Sequence, residues 1–355
     1  MPNQLAAFAA KQNKKFGDNL APLVNKPRDV LSTTSLTLDW ALRKGGLEMG
    51  AIYEILGPPG CFKTSMAIRM MAEARHRWPE RAVSYIDLEK TFRDEWAADH
   101  GLDSSDAAIA AGTFNHTYPE TSEDASDLSR MQAGSGLFSL IVIDSVGGME
   151  SKKAFAKEAG EAVMGNNAQV ITRMSKALAT LTRQHECAIV MINQPRANLS
   201  GGYSDLSAGP KALQHATTAK ITMKLIGGAD GIRKMKFGDS EEPVSKQVRA
   251  IVDRLKYGTE GRRAEFWFNV QESGEYGPIG VNEADEYATM GIRYGVIARE
   301  GKGSYYVVPG ADKVNGKPAV IKLLRGRPDL LEGVRAGVLA ADPEAEALET
   351  FDIES

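Results

Sequence analysis

Residues Gly57–Thr64 read Gly-Pro-Pro-Gly-Cys-Phe-Lys-Thr, and the chain on either side narrows how this octet can fold. Upstream, Ala51-Ile-Tyr-Glu-Ile-Leu56 reads as a buried strand. Downstream, Ala67, Met70, Met71 and Ala74 recur at helical spacing until Pro79 stops the run. Strand, tight loop and helix in that order match the phosphate-binding pattern G-x-x-x-x-G-K-[ST] except at Phe62, which takes the second glycine's place. In such a loop, backbone N–H groups gathered at the helix N-terminus cradle polyphosphate oxygens. Gly57, Pro58, Pro59, Gly60, Cys61, Phe62, Lys63, Thr64 and the adjoining Ser65 are therefore candidate nucleotide contacts. Lys63 is expected to reach the β- and γ-phosphates, and the Thr64 hydroxyl to bind Mg²⁺. The Phe62 N–H can still donate, provided its side chain points away from the phosphates.

A chain of 355 residues has room for one large domain with smaller appendages. A net charge of −3 excludes a globally basic nucleic-acid binder, so any such surface must be local or made by assembly. Cys61 and Cys187 form no metal-ligand pair and point to a reducing compartment. No apolar stretch approaches the roughly 20 residues that span a bilayer. Lys11, Lys14 and Lys15 follow the short N-terminal apolar patch instead of preceding it, which is not a signal pattern. The expectation is a cytoplasmic protein with no membrane partner.

Gln4 to Phe16 can form a short amphipathic helix, and Asp18 to Arg28, with Pro22 and Pro27, reads as a linker. From Val30 onward, apolar runs recur at Ile52–Leu56, Val83–Ile86, Leu140–Ile143, Ile189–Ile192, Ile221–Leu225 and Ile251–Leu255. Helical patterns such as Val170, Met174, Ala177, Leu178 and Leu181 lie between several of them. This alternation implies an α/β fold with a mostly parallel central sheet. Ligands of open α/β sheets bind at the carboxyl ends of strands, so the polar residues ending these runs should gather beside the phosphate loop. Asp144 suits Mg²⁺, directly or through water. Glu89 and Asp87 compete for the role of general base, and Gln194 can sense a γ-phosphate. Glu150–Asn167 and Pro195–Pro210 fit no element and read as loops that are either functional or disordered. After about Gln271 the pattern changes, and from Asp342 the chain is acidic.

Taken together, these stretches resemble the RecA recombinase family over nearly the whole chain. Val30-Leu-Ser-Thr-Thr-Ser-Leu-Thr-Leu-Asp39 and Gly45-Gly-Leu-Glu-Met-Gly50 are similar to the opening of its core. Leu140-Ile-Val-Ile-Asp-Ser145 and Ile192-Asn-Gln-Pro-Arg196 resemble its Walker B strand and γ-phosphate-sensing strand end, and Ala208-Gly-Pro-Lys-Ala-Leu213 the exit from its second DNA-binding loop. The Phe-Lys pair at Phe62 and Lys63 is similar to phage recombinases of the UvsX type.

The resemblance implies a RecA-type P-loop ATPase core over about 30–270, preceded by an N-terminal oligomerisation helix and linker within 1–29. A small α+β C-terminal domain over 271–341 and an acidic flexible tail over 342–355 would follow. It implies that Glu89 is the catalytic glutamate, with Lys63 and Gln194 also catalytic, and that Trp96 stacks on adenine. Arg254 and Lys256 would reach the γ-phosphate of ATP on the neighbouring subunit. Loops at about 150–167 and 195–210 would bind DNA, with Met164, Gly165, Arg173, Arg196, Asn198, Gly209 and Lys211 as contacts. The implied partners are single-stranded DNA, homologous double-stranded DNA, further copies in a helical filament, and single-strand-binding and mediator proteins. ATP and Mg²⁺ are the implied cofactors. His215 and Pro195 depart from the family pattern. Two rival expectations are a ring-forming DNA motor and a non-hydrolysing single-strand-binding scaffold.

Overall fold

The computed structural model describes residues 28–149, 166–197, 203–207, 211–301 and 303–341. The expected N-terminal helix, most of the first loop with Met164 and Gly165, then Asn198, Gly209 and the acidic tail, lie outside the described residues.

The strands in chain order begin with β1 (Val30–Leu31), β2 (Leu47–Glu48), β3 (Ile52–Leu56), β4 (Ala82–Asp87), β5 (Phe114–Thr117) and β6 (Phe138–Asp144). Then come β7 (Ala188–Asn193), β8 (Pro195–Ala197), β9 (Tyr203–Ser207), β10 (Ala219–Leu225), β11 (Ile232–Phe237) and β12 (Ser240–Leu255). Last are β13 (Arg262–Asn269), β14 (Gly280–Val281), β15 (Ala298–Glu300), β16 (Tyr305–Val307) and β17 (Val314–Asn315). The main sheet has the order β14-β13-β12-β10-β3-β7-β6-β4-β5, with β11 added on β12. From β10 to β5 every neighbour is parallel, as the alternation of strands and helices predicts. Beyond β10 the pairing turns antiparallel. Short connections join β11 to β12 and β12 to β13, too short for the crossover that a parallel pair needs. The apolar run Ile251–Leu255 is thus the end of the 16-residue β12, running against the strands it resembles in composition.

Each central strand feeds two cores, because successive side chains point to opposite faces. Leu140 and Val142 join Met66, Met70 and Met71 of the helix Lys63–Arg77 in one cluster. Ile141 and Ile143 join Ile171, Met174 and Leu178 of the helix Asn166–His185 in the other. Burial on both sides explains why β3, β4 and β7 are covered along their whole length. A third cluster packs Leu36 against Ala288, Val320, Leu324, Val334 and Val338 from the helices Glu283–Arg293, Lys317–Gly326 and Leu331–Ala340. The C-terminal residues are thereby seated on the helix Leu36–Ala41.

Within Pro195–Pro210, expected as an unpaired loop, β8 and β9 pair antiparallel, Pro195 opposite Ser207 and Ala197 opposite Tyr203. Even a polar segment needs partners for its backbone groups, and two short strands supply them. Among the described residues no helix is long and apolar enough to cross a membrane.

Candidate active site

The phosphate loop leaves β3 at Gly57 and enters the helix at Lys63. A Cβ at Gly57 would stand 2.3 Å from the Met223 carbonyl oxygen, so only glycine fits there. Phe62 caps the helix with φ 66° and ψ 24°, left-handed values that glycine adopts freely and that cost other residues about 1–2 kcal/mol. Its ring stacks on Phe268, 4.3 Å between centroids and 12° between planes. The ring is thereby packed against the buried core. Lys63 is buried, and its Nζ donates to the Pro58 carbonyl at 2.9 Å.

Strand register lines up the polar residues. Asp87 of β4 stands beside Asp144 of β6, and Asn193 of β7 beside Leu56 of β3, at the edge where the loop begins. The Thr64 hydroxyl donates to Asp144 Oδ2 at 2.8 Å, and the Tyr85 hydroxyl to the same oxygen at 2.6 Å. Burial pushes the Asp144 carboxyl above the usual range; the hydrogen bonds from Tyr85 and Thr64 draw it back, while the charges of Glu89 and Asp87 add to the rise. Thr64 and Asp144 therefore offer two hard oxygen donors side by side, which suits Mg²⁺, an ion that keeps several waters and takes phosphate oxygens. Among the described residues no cluster of three His, Cys, Asp or Glu side chains could hold a metal by protein ligands alone.

Glu89 and Asp87, equivalent on paper, have separate fates. Asp87 is fully buried and accepts from the N–H groups of Lys90 at 2.7 Å, Thr91 at 3.4 Å and Phe92 at 3.1 Å. His116 Nε2 lies 3.5 Å from it. Burial by itself raises this carboxyl, but the nearby His116 ring and the hydrogen bonds from the three N–H groups outweigh it and leave the group below its ordinary value. Glu89 is exposed and accepts from Gln194 Nε2 at 3.0 Å and from the Ser145 hydroxyl. Gln194 follows Asn193, whose side chain donates to buried Glu54 at 2.7 Å and accepts from the Gln194 N–H at 2.9 Å.

Ser145, Tyr85 and Glu54 escaped the sequence reading. Ser145 directly follows Asp144 in the quoted strand, and Glu54 is a charge inside an apolar run, which by itself signals a buried polar partner. Tyr85 passes for an ordinary core aromatic.

Trp96, on the helix Asp94–Asp99, is half-buried. Its indole N–H donates to Ser65 Oγ at 3.1 Å, and its ring meets His100 edge-on at 4.6 Å. His100 is buried, and desolvation, helped by the Arg69 charge, pushes its pKa down to about 4.

Arg254 and Lys256 are not brought to the loop. Because β12 runs antiparallel to β10, its end lies where β10 and β3 begin, at the opposite edge of the sheet. There Arg254 donates to the Gln214 carbonyl and Lys256 to that of Ala216 at 3.2 Å. Burial and the charges of Arg254 and Arg183 lower the Lys256 pKa. Arg173 is exposed on the helix Asn166–His185 with Lys176 nearby, Arg196 lies in β8, and Lys211 opens the helix Lys211–Ala216, on which His215 is exposed.

The profile of the RecA N-terminal domain matches residues 4–267. The protein RecA of Psychrobacter arcticus is 27% identical over 344 residues, 95% of this chain and 90% of that protein. The protein RecA of Thermus thermophilus is 27% identical over 341 residues, covering 96% and 93% of the two chains. That of Psychrobacter cryohalolentis is 28% identical over 347 residues, covering 95% and 90%.

Proposed function

Because the chain belongs to the RecA family, we propose that it is a DNA-dependent ATPase of homologous recombination and repair, assembling as a helical filament on single-stranded DNA. The observation that carries this reading is the meeting of Lys63, the Thr64–Asp144 pair and the Glu89–Gln194 pair at one sheet edge.

Polyphosphate settles on the loop N–H groups at the N-terminus of the helix Lys63–Arg77, and Lys63 turns from Pro58 to the β- and γ-oxygens. Thr64 and Asp144 would hold Mg²⁺, which neutralises charge on the phosphates when bound. Glu89 orients a water and takes its proton as the oxygen–γ-phosphorus bond forms and the bond to the β-phosphate oxygen breaks, releasing ADP and phosphate. Gln194 bonds to Glu89 and stands one residue before β8, so it links the γ-phosphate to the segment Pro195–Pro210. Trp96 supports the adenine.

Arg254 and Lys256 act on a neighbouring copy's ATP, a role favoured by their place at the far sheet edge. Arg173, Arg196 and Lys211, with Met164, Gly165, Asn198 and Gly209, contact the strand. Near-neutral net charge is compatible with this only if many subunits bind along one strand, with an affinity that falls steeply with salt. Phe62 supports a place beside the phage recombinases of the UvsX type.

The test is ATP hydrolysis with and without single-stranded DNA, together with microscopy of the assemblies. DNA-stimulated turnover by helical filaments is the expected result. Closed rings would favour a DNA motor, and filaments without hydrolysis a scaffold.

A further inference from the structure

One side chain ties the phosphate-loop helix to the C-terminal residues. Arg69 lies on the helix Lys63–Arg77 with its side chain 15% exposed. Its Nη2 donates to Glu283 Oε1 at 2.8 Å, its Nε to Thr34 Oγ1 at 3.1 Å and its Nη1 to the Ile279 carbonyl at 3.5 Å. Glu283 opens the helix Glu283–Arg293, and Glu286 follows one turn later on the same helix. The buried Glu286 carboxylate accepts from Ser35 Oγ at 2.6 Å, from the N–H groups of Leu36 at 2.9 Å and Thr37 at 3.0 Å, and from the Thr37 hydroxyl. These donors surround the start of the helix Leu36–Ala41, next to Thr34.

The contacts close a circuit. Arg69 leads to Thr34, the chain to Ser35 and Leu36, their donors to Glu286, the helix back to Glu283, and Glu283 to Arg69. Gly280 leaves the passage open, since a Cβ there would stand 2.4 Å from Arg69 Nη1. One guanidinium on the phosphate-loop helix is thus held in three directions, by the start of the helix Glu283–Arg293, by Thr34 just ahead of the helix Leu36–Ala41 and by the Ile279 carbonyl, a geometry that a shift of the phosphate-loop helix would break.

We infer that Arg69 is a positioning residue through which the helix Lys63–Arg77 and the helix Glu283–Arg293 set each other's place, so that nucleotide on the phosphate loop changes the protection of the C-terminal helix. The inference rests on the nucleotide reading of Gly57–Thr64. Two discrete arrangements of a packed element are what carries coupling between distant sites, and the Arg69 fork makes the two helices move together or part.

The experiment follows amide hydrogen exchange over residues 283–293 in the full chain, with and without a non-hydrolysable ATP analogue and Mg²⁺. Analogue binding is measured separately by calorimetry. In the wild type, analogue is expected to change exchange in this helix by about fivefold or more, the usual scale of site-to-site coupling. Arg69→Met should still bind analogue but lose the response. Arg69→Lys, which keeps the charge without the fork, should recover part of it, and Glu283→Gln should weaken it. A purely structural Arg69 would lower stability and leave the response intact; that result, or a wild type that binds analogue with unchanged exchange, overturns the inference. A wild type that does not bind analogue at all would instead overturn the reading of the loop.

Discussion

The Phe62 ring lies flat on that of Phe268, which is fully buried, so the residue that breaks the phosphate-loop pattern is fastened to the antiparallel half of the sheet. Glycine at position 62 would meet the left-handed backbone without strain, and phenylalanine meets it by gaining a stacked, largely apolar contact.

Phe62→Ala loses the stack and keeps the backbone strain, whereas Phe62→Gly loses the stack and the strain together. Phe62→Gly is therefore expected to unfold later than Phe62→Ala, by about 1 kcal/mol. Denaturant midpoints of the two variants check this, and the reverse order would mean the left-handed conformation is not what position 62 adopts.

Lys63→Ala removes the cation that would clamp the transferring phosphoryl group. Turnover should fall by about two orders of magnitude or more, read as steady-state phosphate release. Unchanged hydrolysis would mean that the loop has been assigned the wrong task.

Glu89 and Asp87 predict opposite phenotypes. Glu89 is exposed and linked to Gln194, so Glu89→Gln should abolish most hydrolysis while leaving the melting temperature near that of the wild type. Asp87 builds the turn through three N–H groups, so Asp87→Asn should cost about 1–3 kcal/mol of stability. Hydrolysis and thermal melting measured on both variants decide between them.

Burial holds the Glu286 carboxyl up at about 7 against an ordinary 4.5, with the hydrogen bonds from Ser35, Thr37 and Leu36 pulling the other way. Between those two values the folded chain keeps a proton that the unfolded chain has released. Its contribution to stability is complete below about 4.5 and lost as the pH rises through about 7. Glu286→Gln cannot titrate, so its melting temperature should vary less across that window than the wild type's. Parallel curves for the two would contradict the assignment.

Lys256→Ala should leave nucleotide binding by isolated subunits intact and lower the turnover of assemblies. Binding measured at dilutions that prevent assembly, beside hydrolysis on DNA, separates the two effects. Equal losses would place Lys256 within its own chain's site.

The strands flanking the phosphate loop were legible because apolar runs such as Ile52–Leu56 and Ile189–Ile192 are buried on both faces, which local composition records. The antiparallel half was not. β12 mixes exposed Glu241 and Glu242 with buried Val248 and Val252, so only its last five residues stood out. Strand ends announced Asp87, Glu89, Asp144 and Gln194, yet spacing could not say which carboxylate the following turn would consume. The links of Arg69 to Glu283 and of Glu286 to Ser35 cross more than two hundred positions and leave no periodic trace in the chain.

The phosphate loop and the Arg254–Lys256 pair occupy opposite edges of one sheet. Under the proposed reading, each subunit carries the two halves of different reaction centres. A linear assembly then holds one fewer finished centre than it has members, and each of its two ends keeps one idle half. Turnover per subunit should accordingly climb with the length of the DNA lattice and level off, giving a ruler-like dependence that a self-sufficient monomer would lack.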